Sequence, residues 1–220
     1  MTGILAVWND CAPGAEIDYE QWYTREHMPE RLSVPGFRTG WRYDGVIGDP
    51  HFFTYYTTDT PDVLASPAYL ARLENPTPWT RRIMQSTFRR AIRTVCELST
   101  CIGAMAGSHA VTLRWQGTVD SAPAAAAASE LASIEGVTKV QIWTATGALT
   151  KQTEEARIRG GDALIGGSLV VDCVRRSDAE RVSGLLVSGQ YGQRLAPKSD
   201  AMLGIYAFLC MLEQKKHESP

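Results

Sequence analysis

The chain lacks most of the features that would assign it a class at once. Its five cysteines, Cys11, Cys96, Cys101, Cys173 and Cys210, are odd in number and no two are spaced C-x-x-C. Neither a disulfide framework nor a zinc site follows from that spacing, and small buried thiols in a reducing compartment are expected. No run of about 18 apolar residues exists to span a bilayer, and the opening MTGILAVWND has neither the basic start nor the long apolar centre of a leader. A cytoplasmic protein with no membrane partner is the expectation. Positive charge is not in excess: a formal net charge of −2 over 220 residues gives no electrostatic case for nucleic acid. Lysine is absent before Lys139, and every basic residue from Arg25 to Arg114 is arginine. Codon bias produces such a pattern. So does a site in which arginines hold a carboxylate or enolate oxygen in bidentate geometry, and Arg42 is the candidate for that role.

What the chain does have is concentrated in one stretch, Asp18 to Tyr43, DYEQWYTREHMPERLSVPGFRTGWRY. On a helix, Tyr19, Trp22, Tyr23, Glu26, His27 and Glu30 fall within roughly 140° of arc, so aromatic and ionisable groups share a face. Burying the rings draws the imidazole and carboxylates out of water and makes their pKa values depend on each other. A plainer reading has Glu26 and Glu30 paired with Arg25, Arg31 or another arginine at the edge of the core, with His27 a packed structural residue. Pro29 would clash with the carbonyl of Arg25, so the helix should kink or end near His27 and Met28.

Taken in order, residues 3–11 read as a buried strand, followed by the APGA turn and the helix just described. Pro35-Gly36 turns into the strand GFRTGWRY, and a hairpin leads to HFFTYYTTD. Residues from about Thr60 to Ser86 read as short helices interrupted at Pro67 and at Asn75-Pro76-Thr77-Pro78. Thr87 to Cys101 supplies a fourth strand, although its Phe88, Ala91 and Val95 do not alternate cleanly. After Gly107 the order recurs: strand HAVTLRWQ, alanine-rich helix, strands GVTKVQIWTA and GGSLVVDCV, helix DAERVSGLLV and strand MLGIYAFLCML. Ser33-Val34-Pro35-Gly36-Phe37 aligns with Ser133-Ile134-Glu135-Gly136-Val137, an offset of 100 residues.

This pattern predicts an α+β fold of two tandem ferredoxin-like βαββαβ modules, 1–106 and 107–213, with a disordered tail at 214–220. Each module leaves one apolar sheet face uncovered, so the sheets should pack against each other as an α+β barrel whose lumen holds a small molecule. Residues 150–166 form a long polar connection, expected to be mobile. A homodimer through remaining sheet edges is also expected.

Tyr23-x-x-x-His27-x-Pro29 at the end of the first helix, with Pro35-Gly36 at the next turn, resembles the EthD-like branch of the dimeric α+β barrel superfamily. The resemblance covers roughly the first hundred residues. It implies a fused dimer with one intact and one degenerate site, and it places the helix histidine, here His27, facing the cleft between helix and sheet. Members of the superfamily include isomerases, cofactor-free monooxygenases, cyclases, dehydratases and haem enzymes, so the fold leaves the reaction open.

The leading functional expectation is a cofactor-free lyase or isomerase working by proton transfer on a small cyclic or aromatic carbonyl compound. His27 would be the acid or base, with Glu26 or Glu30 orienting it. Arg42, Tyr55 and Asn9 would stabilise an enolate oxygen, and Trp22, Tyr23, Trp41 and Trp79 would bind the substrate. The alternatives are a non-catalytic ligand-binding module, a monooxygenase, and a haem protein using His27 or His51 as axial ligand. No metal is expected: Glu26, His27 and Glu30 lack the second histidine at i+4 that H-E-x-x-H supplies.

Overall fold

Period-two patterning decides which face of each strand points where, and here both faces are apolar. In the computed structural model, which describes residues 1–147, 153–189, 191–195 and 201–214, eight strands close into one antiparallel barrel. They are β1 (Gly3–Cys11), β2 (Phe37–Ile47), β3 (Phe52–Thr58), β4 (Phe88–Gly103), β5 (His109–Trp115), β6 (Val137–Ala145), β7 (Gly167–Cys173) and β8 (Met202–Glu213). Around the ring they run β1-β3-β2-β8-β5-β7-β6-β4. The expected α+β barrel is therefore present, and its two four-strand arcs are joined edge to edge by β2–β8 and β4–β6 pairing. No free sheet edge remains among the described strands, so a dimer would have to use another surface.

Alternate residues explain the run GILAVW at the start of the chain. Ile4, Ala6 and Trp8 point into the barrel, whereas Leu5 and Val7 lie under helices. Where a lumen able to take a small molecule was expected, side chains fill the interior. An eight-stranded barrel is only as wide as the side chains that fill it, and Trp8, Tyr43, Phe53, Tyr55, Trp143 and Tyr206 fill this one. Trp8 stacks on Phe53 at 4.8 Å between ring centroids, and Tyr55 lies 4.9 Å from Trp143.

Two helical layers cover the outside. Over one arc lie α1 (Glu16–Trp22), α2 (Met28–Leu32), α3 (Pro67–Glu74) and α4 (Pro78–Ser86); over the other lie α5 (Ser121–Ala132), α7 (Arg176–Val187) and α8 (Gly192–Leu195). Of the prolines that interrupt residues 60–86, Pro67 and Pro78 become first residues of helices, where the missing amide costs nothing, and Pro76 lies in the connection between them. Ser66 caps α3 by accepting from the Tyr69 amide at 3.3 Å, and Thr77 caps α4 by accepting from Thr80 at 3.0 Å. Gly36 and Gly136, one before β2 and one before β6, both adopt positive φ, 90° and 81°. That shared left-handed turn is what the sequence alignment at an offset of 100 picks out.

Two stretches depart from expectation. Residues 150–166 are not simply a loop: Thr153 caps a short helix, α6 (Glu154–Ile158), that packs across onto α3 and α4; residues 148–152 lie outside the described residues. Nor is Gln214 part of a loose tail, since its Nε2 donates to the Leu32 carbonyl at 3.1 Å; the rest of the expected tail, 215–220, including His217, lies outside the described residues.

Replacing Phe53, fully buried in the lumen, by alanine should cost about 3–5 kcal/mol in urea unfolding. A loss below about 1 kcal/mol would mean that the lumen is not packed.

Candidate functional site

Pro29 does not end the first helix. Its ring removes one amide and displaces the carbonyl four residues back, and the chain absorbs this by widening one turn into a π-helical segment, Tyr23–His27, in which the Met28 amide reaches the Tyr23 carbonyl five residues earlier. α2 then continues the same rod. In the widened turn the His27 ring lies 4.2 Å from Trp22 and 5.1 Å from Tyr23, centroid to centroid. Tyr23, His27 and Arg31 all face down toward the sheet and line one cavity.

The floor of that cavity is Leu5 and Val7 of β1, Tyr56 of β3, and Phe88, Ala91 and Arg93 of β4. β4 carries a bulge here: Trp8 pairs with Ile92 but Asp10 pairs with Arg89. Arg90 takes the strain at φ 48° and is held by Asp10 and Asp49. The extra residue explains the broken alternation of this strand, and it aims Ala91, Arg93 and Val95 under the helices. The far wall comes from the other half of the chain, as Glu155 of α6 with Arg159 and Asp162 just beyond it.

Charge dominates this wall. Arg31 Nη2 donates to Glu155 Oε1 at 2.5 Å, with both side chains almost fully buried. Arg159 donates twice to Asp162, at 2.6 Å each, and its Nη1 lies 3.8 Å from Glu155 Oε2. Arg93, 9% exposed, donates to the Tyr69 hydroxyl at 2.8 Å and has no carboxylate in ion-pair range among the described residues. His27, 7% exposed, has no partner at Nδ1. Burial, and then the positive fields of Arg31, Arg159, Arg42 and Arg93, hold its pKa well below the ordinary 6.5. It is therefore a neutral imidazole, able to take a proton but not poised to give one.

Of the residues expected to work with His27, Tyr23 lines the cavity and Trp22 packs on the imidazole; the others are elsewhere. Glu26 accepts from Thr77 at 2.5 Å and Thr80 at 2.9 Å, tying the π segment to the start of α4 rather than orienting His27. Glu30 lies 3.6 Å from Arg31 and 3.9 Å from Arg72, the plainer reading of the sequence, and burial raises its pKa. Arg42 is sealed among Tyr19, Tyr23 and Phe52, its guanidinium 3.9 Å from the Tyr23 centroid. Asn9 donates to the Tyr19 hydroxyl at 2.6 Å beneath α1. Tyr55 and Trp41 belong to the barrel interior and stack on each other at 5.9 Å, a strand's thickness away from His27. Trp79 donates to Asp18 at 3.1 Å and anchors α4 instead of covering a cavity.

Tyr69, Arg93, Glu155, Arg159 and Asp162 were not among the residues expected here, and Arg31 was expected only as a partner of the glutamates. Arg31 was findable, since it follows His27 by four residues on the same face. The cavity measures about 30 Å³, room for a water or two. Among the described residues no cluster of three or more metal-ligating side chains exists, and no helix is long and apolar enough to cross a membrane.

The chain matches no protein-family model and no curated protein. Its fold, however, recurs in solved structures. An anthrone oxidase-like protein superposes with a TM-score of 0.65 at 10% identity, over 98% of this chain and 94% of the other. A candidate monooxygenase of Fusobacterium nucleatum gives 0.58 at 10% identity, over 97% and 95%. A haem-binding protein of Thermus thermophilus gives 0.51 at 11% identity, over 95% and 91%. At such identities the likeness is one of fold alone. The residues around His27 do not fit a haem. Trp22 and Tyr23 crowd its ring, and the cavity is far smaller than a macrocycle. His51 is exposed and bound to Asp44 at 2.8 Å.

Because the folded pKa of His27 lies below its unfolded value, the unfolded chain binds more protons as pH falls through about 6.5. Stability contributed by neutral His27 is present above that pH and is lost below it. His27→Gln should therefore flatten part of the fall in stability between about pH 7 and pH 5, and NMR should find the imidazole unprotonated at pH 6. An imidazole half-protonated near 6.5 would contradict the electrostatics described.

Proposed function

We propose that this protein is an enzyme of proton transfer, acting on a small cyclic or aromatic carbonyl compound at the cavity beside His27, which opens beyond its closed volume of about 30 Å³ to admit the substrate. The observation that carries the reading is the neutral, buried imidazole with Nδ1 unpartnered, facing a cavity whose charged groups are three arginines against two carboxylates. A general base must be deprotonated at working pH and must reach the acidic proton; low exposure and neighbouring positive charge supply the first. As His27 takes the proton, negative charge develops on the substrate oxygen. The Arg31 and Arg93 guanidiniums stand where they can stabilise it in a water-poor site. The imidazolium left on His27 is an acid held among positive charges, so it returns its proton readily. Delivered to another atom of the substrate, that proton completes an isomerisation; delivered to a leaving group, it completes an elimination.

A second reading has the same first step. The likeness of fold to an anthrone oxidase-like protein and to a candidate monooxygenase favours passing the carbanion on to dioxygen. In both, the role of His27 is the same, and the cofactor-free chemistry rests on the acidity of the substrate. We read the chain as an EthD-like fused pseudo-dimer, divided at 106/107, with its working site in the first module. The second-module helix supports this, since it lays Ala124, Ala127 and Ala128 against the sheet where the first has its aromatic and imidazole side chains.

Anthrone and cyclic 1,3-diketones, followed by solvent deuterium incorporation and by oxygen uptake, test the reading. His27→Gln should lower turnover by about 10²-fold or more while the fold persists. Undiminished turnover in that variant would overturn His27 as the base, and no turnover by the parent protein would leave a binding or accessory protein; oxygen uptake that depends on His27 would favour the second reading.

A further inference from the structure

The cavity beside His27 is already partly occupied by the protein itself. Glu155 arrives from the opposite half of the chain and places its carboxylate against Arg31 at 2.5 Å, with both groups excluded from water. The donors around it are not used up. Arg31 Nη1 and His27 Nδ1 are buried without a hydrogen-bond partner, and the nearest carboxylate to Arg31 Nη1, that of Glu30, lies 3.6 Å away, beyond hydrogen-bond reach. Arg93 is bound only to a neutral hydroxyl among the described residues. Arg159 and Asp162 form a closed bidentate pair. The lining thus carries three arginines against two carboxylates, Glu155 and Asp162, and buried guanidiniums of this kind are matched to planar anions.

The way Glu155 is mounted differs from the way the rest of the wall is mounted. Ala163 is fastened into the sheet edgewise, accepting from the Arg93 amide at 2.9 Å and donating to the Ala91 carbonyl at 2.8 Å. Between that anchor and α6 lie Gly160 and Gly161, both at positive φ, 88° and 92°, with open space where a Cβ would stand and their amides donating to the Arg157 and Ala156 carbonyls. On its outer side α6 is held by partly exposed ion pairs, Arg81–Glu154 at 2.8 Å and Arg157–Glu74 at 3.6 Å, a kind of contact that contributes little. Its attachments on the inner side are the buried Arg31–Glu155 pair and Ile158, which packs at the edge of the core beneath the helices.

We propose that the ligand of this pocket is a small aromatic or cyclic carboxylate, that it displaces Glu155 from Arg31, and that α6 swings on Gly160-Gly161 to admit it. This rests on the cavity beside His27 being the site described under the proposed function. The carboxylate of the ligand takes the place of the Glu155 carboxylate on Arg31, and Arg93 completes the seat. One internal anion is exchanged for one external anion, so the buried charge balance is kept. The ring then lies in the space that α6 vacates, against Tyr23, Tyr56 and Phe88, with its reacting carbon toward His27. Glu155 acts as a placeholder that keeps Arg31 paired when the site is empty, and it sets preference: a neutral carbonyl compound binds more weakly than one carrying a carboxylate, because it does not replace the ion pair it displaces.

Calorimetric titration with benzoate and its neutral counterpart benzamide tests this on the full chain. Glu155→Gln removes the internal competitor and keeps a hydrogen-bond acceptor on Arg31, and it should tighten benzoate binding at least tenfold. Arg93→Gln should weaken benzoate at least tenfold and leave benzamide unaffected, and benzamide should gain less from Glu155→Gln than benzoate does. Unchanged or weaker benzoate binding by Glu155→Gln, or benzamide tracking benzoate, would overturn the proposal. If Glu155→Gln fails to fold, Arg93→Gln decides alone, since unaltered benzoate affinity in that variant sinks the anion seat. His27→Gln separates this proposal from the catalytic one: loss of turnover with benzoate affinity kept leaves both standing, whereas loss of turnover in a protein indifferent to benzoate retains the base and discards the carboxylate.

Discussion

Eight strands closed into a ring enclose a space that their own side chains must fill, and this constraint places everything else. Because Trp8, Phe53, Tyr55 and Trp143 occupy the interior, a ligand must be held outside the barrel wall, between sheet and helix. The outer face of β1, β3 and β4 is floored by Leu5, Val7, Tyr56 and Phe88 and roofed by the first helix. Chemistry then depends on which helix side chains look down, and the π segment before Pro29 settles that by bringing His27 between Trp22 and Tyr23.

Electrostatics in this layer works by subtraction. Four arginines contribute to keeping His27 neutral, yet a protein interior tolerates them only if each is answered. The answers come from different sources: Glu155 for Arg31, Asp162 for Arg159, aromatic faces for Arg42, and a phenol for Arg93. The arginine-only composition of the first half is in keeping with this, because a planar, weakly hydrated guanidinium can be stacked and paired in ways that an ammonium cannot. Arg42 is the clearest case, since its two Nη atoms have no hydrogen-bond partner and three rings surround it.

Most of the architecture was legible because it is written locally. Alternation marks strands, prolines mark helix starts, and a glycine that needs positive φ marks the turn before β2 and again before β6. His27 was legible too, through the face it shares with Tyr23 and through its distance from Pro29. Its partners were not. Glu26 and Glu30 sit on the same helical arc by angle, but Thr77, Thr80 and Arg72 reach them first, and these come from elements whose packing a helical wheel does not include. Arg93 was hidden by the bulge at Arg90, which shifts the alternation by one residue midway along β4. Glu155 lies 124 residues from Arg31 in a stretch that reads as a polar loop. Tyr55, Trp41 and Asn9 were assigned to the site on aromatic or polar character alone, which does not distinguish one face of a strand from the other.

The closed ring has a consequence for how the chain can vary. β8 is hydrogen-bonded on one side to β2 and on the other to β5, and β4 likewise joins β1 to β6. A residue inserted into a strand of an open sheet disturbs one or two neighbours and can be absorbed at the edge; in a ring the displacement passes from strand to strand and returns to its origin. Length changes within strands are therefore tolerable only where the ladder already carries a mismatch, such as between Arg42 and Tyr43 or between Leu98 and Thr100. Lineages of this fold should accumulate their insertions in the connections between strands, and the two halves must keep their registers in step however much their sequences differ.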